Sequence, residues 1–399
     1  MISQKILMDR RFFIAKEEEI LSGKVTDIYY VRTYKILEKK GKLDTNVTMD
    51  VHSYNFPKNY EWAVFCGLPE VLNIFIGKHV DVYAMDEGTI FRLYEPVFSI
   101  SGPYKEFGIY EPIIDGIFRH YVSIATKAAR IKQAAGDKKV IFFGIRSLHP
   151  ALAPLADRAA YIGGCDAVSG VLGAELLKEQ PVGTMPHELT LIFDKVEDAW
   201  LAFDEVMPND VPRYLLCDTM YDERTEVWLA AKTLGSKLAG VRLDTPSSRR
   251  GDIRKLLQEV RWILDINGLK DAKIILSSGV DEDTILLTRD LVDIYGVGTS
   301  IAFPPSIDLA FDIVEKEGKP YSKRAKLPGR KQVYRCKQCF KDEIKLFYEA
   351  PPEKCKYCGG EVEALLKKYI EKGKLVRELK NEKEIKKYVL SQLDRLVKG

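Results

Sequence analysis

Two pairs of cysteines near the carboxyl terminus have the spacing of a metal site. Cys336 and Cys339 form one Cys-x-x-Cys pair, and Cys355 and Cys358 form a second pair after fifteen intervening residues. Two such pairs supply four thiolates, the ligand set that holds a tetrahedral zinc ion. The spacing therefore predicts a structural four-cysteine zinc ribbon with no coordination position open for chemistry. A redox-active Cys-x-x-Cys pair is the alternative, although redox chemistry does not require the second pair.

A rare histidine follows a segment whose composition favours close approach of the backbone. His187 is one of five histidines in 399 residues and lies in PVGTMPHELT, residues 181–190. The preceding segment, YIGGCDAVSG, is rich in small residues. A neutral imidazole is a competent nucleophile near pH 7, so His187 is a candidate for covalent catalysis. The alternative is a histidine that caps a helix or hydrogen-bonds a loop, and a structural role of this kind is our interpretation of His52 and His149.

Charged and small polar residues follow several apolar runs that have the length of β-strands. Small residues at a helix N-terminus leave backbone N–H groups available to a phosphate. Arginine adds planar, charge-assisted donors, and carboxylates beside an anion suit Mg²⁺ or sugar hydroxyls. The set predicts phosphate chemistry, whereas the alternative is that strand ends are polar only because loops are solvated. The residues concerned are Arg146, Asp218, Arg242, Asp244, Ser277, Ser278, Gly279, Gly298, Thr299 and Ser300.

Successive β/α units must position these side chains. Apolar runs alternate with helical patterns at intervals of about 20 to 30 residues, which predicts parallel strands buried on both faces. Serial repetition of the unit predicts an α/β fold with a (β/α) barrel, in which chemistry occurs at the carboxyl ends of the strands. The predicted strands lie in KKVIFFGIR, RYLLCDTM, AGVRLDT, AKIILSSGV and DIYGVGTS.

Changes in the pattern of apolar and polar residues divide the chain into three regions. Residues 1–115 include HVDVYAMDEGTIFRLYEPVFSISGPY, whose alternation predicts an antiparallel meander in a mixed α+β N-terminal domain. Residues 116–315 form the predicted barrel domain. Residues 316–399 form a C-terminal segment that contains the zinc ribbon at 336–358. From residue 361 onward, helical periodicity with charged faces predicts one or two terminal helices packed on the N-terminal domain.

Composition excludes several classes of protein. Hydrophobic residues make up 46% of the chain, which is typical of a folded globular protein. The 61 basic and 58 acidic residues give a net charge of +3, so charge does not favour nucleic acid as the main partner. No apolar signal-peptide region and no run of 18 apolar residues is present, so neither secretion nor a membrane span is expected. Cys66, Cys165 and Cys217 are scattered singly, which suits reduced thiols in the cytoplasm.

The order of several motifs resembles that of the nicotinate phosphoribosyltransferases. YIGGCDAVSGVLGAELLKEQPVGTMPHELT is similar to the core of that family, where Gly-Gly-x-Asp-x-x-Ser precedes Gly-Thr-Met-x-His. Each motif is short, but their shared order from about residue 26 to residue 335 makes the resemblance specific. The other matching motifs are TDIYY, DEGTIFRLYEPVFSISGPY, VRLDT, LSSGVDE, GVGTS and KLPGRKQVYR.

This resemblance implies a fold and a reaction. It implies a barrel of the type II phosphoribosyltransferase class and transfer of phosphoribose from phosphoribosyl pyrophosphate to the ring nitrogen of nicotinate. ATP hydrolysis would be coupled through a phosphohistidine, with Mg²⁺ at the site, in an oligomer of at least two subunits that share active sites. The alternative activities are quinolinate or nicotinamide phosphoribosyltransferase. A nucleic-acid-binding zinc-ribbon protein is the alternative from a different class.

The resemblance also implies roles for individual residues. His187 would be the group phosphorylated by ATP, and Asp218 and Asp244 would lie near the ribose, the pyrophosphate and Mg²⁺. Arg146 and Arg242 would contact phosphate or the nicotinate carboxylate. The remaining implied contacts are Ser278, Gly279, Gly298 and Thr299 at the 5′-phosphate, Asp166 and Ser169 at the base pocket, Thr184 at bound substrate, and Asp27 and Tyr29 at the neighbouring subunit's site, with the Tyr29 ring on the pyridine.

Overall fold

The computed structural model describes residues 11–398, which form two compact units. Each unit is assembled from segments that are separated in the sequence. Among the described residues, no helix combines the length and the apolar character needed to cross a membrane. The segments are 11–123, 306–381 and 394–398 in the first unit, and 124–305 and 382–393 in the second.

The first unit is built on a seven-stranded sheet in which every neighbouring pair is antiparallel. This arrangement confirms the antiparallel strands and the mixed α+β character predicted for the N-terminal region. The prediction of a meander is wrong, because Ile90–Phe91 leaves the sheet and pairs with Ala63–Val64. The sheet has the strand order β13-β12-β1-β5-β3-β17-β18. Its strands are β1 (Asn46–His52), β3 (Asp81–Met85), β5 (Phe98–Pro103), β12 (Ala310–Lys316), β13 (Lys319–Pro320), β17 (Leu366–Glu371) and β18 (Lys374–Leu375).

Strand β1 shows why the two faces of this sheet differ. Val47, Met49 and Val51 point to one face and join the buried apolar core of the unit. The alternate residues of a strand point to the opposite face, so Asp50 and His52 lie on a second, polar face. The helices of the unit are α1 (Glu17–Leu21), α2 (Ile28–Lys39), α3 (Leu68–Phe75) and the first part of α4 (Glu111–Ala135).

Two smaller sheets complete the first unit. Strands β2 (Ala63–Val64) and β4 (Ile90–Phe91) form an antiparallel pair. The second small sheet carries the first Cys-x-x-Cys pair at the end of its central strand, and its order is β15-β14-β16. Its strands are β14 (Lys331–Cys336), β15 (Asp342–Leu346) and β16 (Val362–Ala364).

The prediction of terminal helices is wrong for the first half of the tail. Residues 362–375 form β16, β17 and β18, and helix α14 (Glu382–Lys398) begins only afterwards. Lysine and apolar residues recur there at a spacing that is also compatible with one face of a helix. However, β17 pairs with β3 and buries Leu366 and Ile370, and this tertiary burial outweighs the small differences in helix propensity. Residues 382–393 of α14 belong to the second unit, which corrects the predicted packing on the N-terminal domain.

The second unit contains a six-stranded sheet whose strands are all parallel. This sheet confirms the predicted α/β class. Its order is β7-β6-β11-β10-β9-β8, so consecutive strands β7 and β8 occupy opposite edges. The backbone of Val182 lies beside β7, where the Val182 N–H donates a hydrogen bond to Val168 O. The strands are β6 (Lys139–Phe142), β7 (Ala167–Val168), β8 (Tyr214–Leu216), β9 (Gly240–Leu243), β10 (Lys273–Leu276) and β11 (Ile294–Val297).

Helices follow the strands of the second unit, as the predicted β/α repeat requires. The helix predicted over SSRRGDIRKLLQEVRWILDING is interrupted at Gly251, where φ is +64°. Asp252 then starts a new helix by accepting hydrogen bonds from the Arg254 and Lys255 N–H groups. The helices are residues 124–135 of α4, α5 (Ala153–Ile162), α6 (Val171–Leu176), α7 (His187–Ile192), α8 (Val196–Val206), α9 (Glu223–Leu234), α10 (Ser247–Arg250), α11 (Ile253–Ile266), α12 (Glu282–Thr288), α13 (Thr299–Ala302) and residues 382–393 of α14.

Candidate active site

The carboxyl ends of β6, β9, β10 and β11 surround a cavity of about 420 Å³. Its lining combines charged side chains with glycine, serine and threonine. A cavity of this size is within the ordinary range for small-molecule sites. Its lining residues are Phe143, Arg146, Ser147, Arg242, Asp244, Ser277, Ser278, Gly279, Val280, Asp281, Gly296, Gly298, Thr299 and Ser300.

Arg242, Asp244 and Ser277, which line the cavity, form a closed hydrogen-bond triangle. Arg242 Nη2 lies 3.0 Å from Asp244 Oδ2, and Arg242 Nε donates to Ser277 Oγ at 3.1 Å. Ser277 Oγ in turn donates to Asp244 Oδ1 at 2.7 Å. Arg242 is 8% exposed, so the pair is held in a partly desolvated setting where charge-assisted hydrogen bonds are strong. The triangle fixes the direction in which Asp244 presents its carboxylate.

Arg242 also holds the segment that leads to His187. Its Nη1 donates to Thr184 Oγ1 at 2.6 Å and to the Met185 carbonyl oxygen at 3.2 Å. Pro186 follows in extended conformation, and helix α7 begins at His187. The conformation of the Gly-Thr-Met-Pro-His segment is therefore set by a side chain from β9. The structure thus brings Thr184, Arg242 and Asp244 together, and their contacts with substrate stay a prediction.

Asp218 connects the imidazole to the end of β9. Its Oδ1 lies 3.2 Å from His187 Nε2, while its Oδ2 accepts the Asp244 N–H at 2.6 Å and the Thr245 hydroxyl at 2.9 Å. The Asp218 side chain is 3% exposed, whereas that of His187 is 36% exposed. The carboxylate is therefore rigidly held, and the imidazole that it orients remains accessible.

Sequence reasoning missed Glu226, which shapes the loop after Asp218. Glu226 lies on α9, is 0% exposed, and accepts hydrogen bonds from the backbone N–H groups of Thr219, Met220 and Tyr221. Burial raises the pKa of Glu226, and these three N–H groups oppose the increase. A glutamate on the otherwise apolar face of α9, beside Val227 and Ala230, was the available signal in the sequence.

Where glycine, serine and threonine line the cavity, the backbone lies close to its interior. Ser278 and Gly279 both have left-handed backbone conformations, with φ values of +69° and +65°. A side chain at Gly298 would approach the Phe143 carbonyl oxygen to 3.2 Å. Thr299 begins α13, and its hydroxyl lies 3.0 Å from the Ser147 hydroxyl. The four residues that the resemblance implied at a phosphate therefore line one cavity, and the phosphate contact itself stays a prediction.

Asp166 does not lie at this edge of the sheet, which corrects the expectation that it lines the base pocket. Its carboxylate accepts the Val140 N–H at 2.8 Å and pairs with Lys132 at 3.0 Å. Val140 lies near the start of β6, so Asp166 is at the amino ends of the parallel strands. Ser169 follows β7 at the carboxyl end, where its N–H donates to Phe142 O. The two residues differ because Asp166 precedes β7 and Ser169 follows it, and the two ends of a strand lie at opposite edges of its sheet.

Asp27 and Tyr29 belong to the first unit, where they begin helix α2. Asp27 occupies the N-cap position, and the Tyr29 ring is 54% exposed. The ring of Tyr30 lies 4.3 Å from that of Tyr29 and is itself buried. The Tyr29 ring thus packs against Tyr30 of the same unit and is about half exposed on that unit.

The four cysteines predicted to bind metal converge in the first unit. All four Sγ atoms lie within 4.8 Å of one another. The backbone N–H groups of Gln338 and Cys339 point at Cys336 Sγ, and the Tyr357 N–H points at Cys355 Sγ. Hydrogen bonds of this kind stabilise thiolates that ligate a metal, so the donor set fits a tetrahedral zinc ion.

Comparison with known proteins places this chain in one class. Residues 27–122 and 124–312 match the family models described as quinolinate phosphoribosyl transferase, N-terminal domain and C-terminal domain. Residues 330–399 match nicotinate phosphoribosyltransferase C-terminal domain. The structure of human nicotinic acid phosphoribosyltransferase shares the fold, with a TM-score of 0.79 and 19% identity over 93% of this chain and 94% of that one. The protein is therefore of the type II phosphoribosyltransferase class.

Further similar proteins indicate the family within this class to which the chain belongs. A solved structure named nicotinate-nucleotide pyrophosphorylase, from Pyrococcus furiosus, is 50% identical over 97% of this chain and 99% of that one, with a TM-score of 0.94. Nicotinate phosphoribosyltransferase of Bacillus subtilis is 27% identical over 78% of this chain and 72% of its own length. Nicotinate phosphoribosyltransferase pncB2 of Mycobacterium tuberculosis is 33% identical over 64% and 57%, respectively. The chain belongs to the nicotinate phosphoribosyltransferase family and is a phosphoribosyltransferase.

Proposed function

We propose that this protein transfers phosphoribose from phosphoribosyl pyrophosphate to nicotinate, producing nicotinate mononucleotide and pyrophosphate for NAD biosynthesis. We further propose that ATP hydrolysis is coupled to the transfer through phosphorylation of His187. The observation that carries the proposal is the continuous hydrogen-bond network from His187 through Asp218 and Asp244 to Arg242. This network joins a nucleophile to a cavity equipped for a phosphorylated sugar.

The residues that line the cavity suit the two parts of the sugar phosphate. Backbone at Ser278, Gly279 and Gly298 can approach a 5′-phosphate closely, because little side chain intervenes. Asp244 lines the same cavity and can accept ribose hydroxyl hydrogens or contact a cation. Mg²⁺, when bound, would neutralise charge on the departing pyrophosphate. Orientation and electrostatic stabilisation of an oxocarbenium-like transition state account for the transfer without a covalent sugar intermediate.

The charge of the cavity favours a base with a single carboxylate. Among the described residues that line it, the cationic side chains are Arg146 and Arg242. Arg242 is already paired with Asp244, which leaves Arg146 for an anionic group of the base or phosphate. Quinolinate, which carries two carboxylates, is the second candidate, because the models matching residues 27–312 bear its name. Nicotinamide is neutral, so it would form no ion pair with an arginine of the cavity.

The position of Asp218 determines how His187 would act. With Nε2–H donating to the carboxylate, the lone pair of the neutral imidazole is on Nδ1. Nδ1 would attack the γ-phosphorus of ATP, forming an N–P bond as the bond to the ADP oxygen breaks. Asp218 would then stabilise the positively charged phosphoimidazole that results.

The remaining parts of the proposal concern metal and assembly. Four converging thiolates leave no open coordination position, so zinc would hold the ends of β14 and β16 together and take no part in the transfer. The exposed Tyr29 ring and Asp27 would complete the site of a neighbouring subunit in a dimer or larger oligomer. The three single, buried cysteines Cys66, Cys165 and Cys217 are compatible with a reducing, cytoplasmic location.

One assay tests the activity directly. Purified protein is incubated with phosphoribosyl pyrophosphate and Mg²⁺ together with nicotinate, nicotinamide or quinolinate, each with and without ATP, and mononucleotide formation is measured. We expect product from nicotinate, with a higher turnover in the presence of ATP. Preference for quinolinate would support the second candidate, and turnover insensitive to ATP would refute the coupling.

A further inference from the structure

The second unit buries a carboxylate that the proposed mechanism does not use. Asp157, on α5, is 1% exposed. No basic side chain that the structure describes pairs with it, and the group that favours its charge is the Gly170 N–H. A buried charge with so little compensation is costly, so its presence calls for a role in the site.

Two glycines make room for this carboxylate. Gly170 is the N-cap of α6, and Gly173 lies in the first turn of that helix. A Cβ placed at either glycine would overlap Asp157 Oδ2, and it would lie 2.9 Å from the Asp157 carboxyl carbon at Gly170 and 2.6 Å from it at Gly173. The carboxylate therefore rests directly on the backbone where α6 begins.

Backbone conformation does not explain these glycines. Gly170 has a φ of −70° and a ψ of 123°, which any residue adopts, and Gly173 is helical without a positive φ. Alanine is a better helix former than glycine, so Gly173 weakens a helix of only six residues. The space that the two glycines leave is occupied by the Asp157 carboxylate, and this contact supplies the reason for them.

The start of α6 is connected to both neighbours of β7. The Ser169 N–H donates to Phe142 O at the end of β6, and Val168 O accepts the Val182 N–H on the other side. Two residues after Val182 comes Thr184, whose hydroxyl is held by the strand-end network. A displacement at the start of α6 would therefore reach both borders of β7 at the carboxyl edge of the sheet.

We propose that Asp157 is a positioning residue whose ionised carboxylate holds the start of α6 in place and thereby fixes Ser169 beside the pocket for the pyridine base. Asp157 would act only through the backbone of α6 and would not touch the substrate. The inference rests on the proposed function, because the family resemblance is what assigns Ser169 to that pocket.

The charge of Asp157 has a cost that depends on pH. Burial raises the pKa of Asp157 to about 6, and the Gly170 N–H opposes the increase. The carboxylate is thus ionised at pH 8 and largely protonated at pH 5. Because the pKa is higher in the folded protein than in the unfolded chain, the stability that protonation supplies is lost as the pH rises through about 6.

The neighbouring titratable groups leave this dependence unchanged. The Cys165 thiol faces Asp157, but burial raises the pKa of that thiol to about 12, so it stays neutral. On α5 itself, Arg158 pairs with Glu382 of α14. The charged side chains on the strands and helices packed against α5 are exposed, and they are Lys139, Arg146 and Glu175.

Asp157→Asn separates positioning from a structural role. Removal of the charge should raise the Tm at pH 8, and the gain should vanish at pH 5, where wild-type Asp157 is itself neutral. At pH 8 the KM for nicotinate should nevertheless rise at least about fivefold, with kcat within about twofold of wild type. Glu175→Gln, which alters an exposed carboxylate on α6, is the control and should change neither quantity. A lower Tm with a parallel loss of kcat would make Asp157 structural and overturn the proposal.

A double-variant cycle tests the contact without any substrate. Gly173→Ala should lower the Tm, because the added methyl group overlaps the Asp157 carboxylate. In an Asp157→Ala background the same change should leave the Tm unchanged or raise it, since alanine favours the helix. Equal decreases in both backgrounds would refute the contact on which the proposal depends.

The measurements also distinguish this inference from the proposed function. A wild-type protein that uses quinolinate in place of nicotinate refutes the proposed substrate, and the KM comparison is then made with quinolinate. An unchanged KM in Asp157→Asn, measured against an active wild type, refutes the positioning role alone.

Discussion

His187 and Asp218 form a directed pair in which Nε2 of the imidazole lies 3.2 Å from a carboxylate oxygen that is almost fully buried. The second oxygen of Asp218 accepts the Asp244 N–H, so the same carboxylate orients the histidine and the end of the neighbouring strand. The pair therefore couples the proposed phosphorylation site to the proposed ribose site. Two of the predictions below follow from this connection.

Replacing His187 tests the phosphohistidine. His187→Ala should abolish ATPase activity and the ATP stimulation of transfer, while some ATP-independent transfer survives because the cavity is intact. The wild-type phosphoprotein should carry phosphate on Nδ1, since Asp218 occupies Nε2, and ³¹P NMR distinguishes the two isomers. His149→Ala is the matched control, because that exposed imidazole accepts the Ala151 N–H away from the network. ATP hydrolysis at the wild-type rate in His187→Ala would exclude the assignment.

Removing the charge of Asp218 should impair both reactions. In Asp218→Asn one side of the group still accepts the Asp244 N–H, but its amide then faces His187 and favours the wrong tautomer. We expect kcat/KM to fall by about 100- to 1000-fold, the size of effect seen when one preorganised polar group is lost. Asp244→Asn should have a comparable effect on transfer.

The control for both substitutions is Asp222→Asn in the same loop region. Asp222 caps α9 by accepting the Thr225 N–H, and asparagine is an equally good cap. Circular dichroism should show that all three variants are folded, because residues at strand ends serve the site more than the core. Near-normal kcat/KM in both Asp218→Asn and Asp244→Asn would remove these carboxylates from the mechanism.

Glu226 is expected to act as a positioning residue. In Glu226→Gln an amide N–H₂ replaces one of the oxygens that accept the N–H groups of residues 219–221. The loop after Asp218 should loosen, lowering kcat about tenfold with little change in KM, and stability should fall by about 1–3 kcal/mol. Glu223→Gln, on the first turn of the same helix, is the control.

The pH profile distinguishes positioning from a general loss of stability. Burial raises the pKa of Glu226, so the wild-type side chain becomes protonated at a higher pH than an ordinary glutamate. Wild-type kcat should therefore decline on the acid side as one acceptor is lost, and Glu226→Gln should lack that part of the decline. Parallel acid limbs in both proteins would assign Glu226 a purely structural role.

Complementation between inactive subunits tests the shared site. Tyr29→Ala, inactive at low nicotinate, is mixed and reassembled with a His187→Ala, Asp244→Asn double variant. If Tyr29 completes a neighbour's site in a two-fold dimer, each hybrid has one site with both intact halves and should regain activity. Loss of the ring should raise the KM for nicotinate, since aromatic stacking on a base contributes about 1–3 kcal/mol. Verified subunit exchange without recovered activity would show that one chain builds each site.

Removal of zinc should destabilise the small sheet β15-β14-β16 without altering the transfer chemistry. Elemental analysis should give one zinc per chain, and Cys358→Ser should lose it and lower the Tm. Lys356→Ser is the control, because its exposed ion pair with Glu343 contributes little. A full zinc content in Cys358→Ser, or an unchanged Tm after metal loss, would contradict a structural four-cysteine site.

Much of the candidate site could be predicted because local rules were sufficient. Asp244 and Ser277 each follow a predicted strand and Arg242 lies near the end of one, and parallel strands in β/α units bring their carboxyl ends to one edge of the sheet. The prediction that these residues meet required no knowledge of distances. In contrast, Glu226 lies eight residues after Asp218 on a different element, and its pattern alone did not show that its carboxylate turns back toward the loop.

The sequence by itself determined the α/β class, the residues at the strand ends and the convergence expected of four spaced cysteines, because periodicity and ligand spacing act over short stretches of chain. Only the tertiary structure decided that Asp166 lies at the opposite edge of its sheet and that residues 366–371 form a strand. It also decided that Asp50 is almost fully buried beside Lys331. Each of these outcomes depends on segments distant in sequence, such as β3 for β17 and Lys132 for Asp166, and long-range packing outweighs the small local preferences that the sequence expresses.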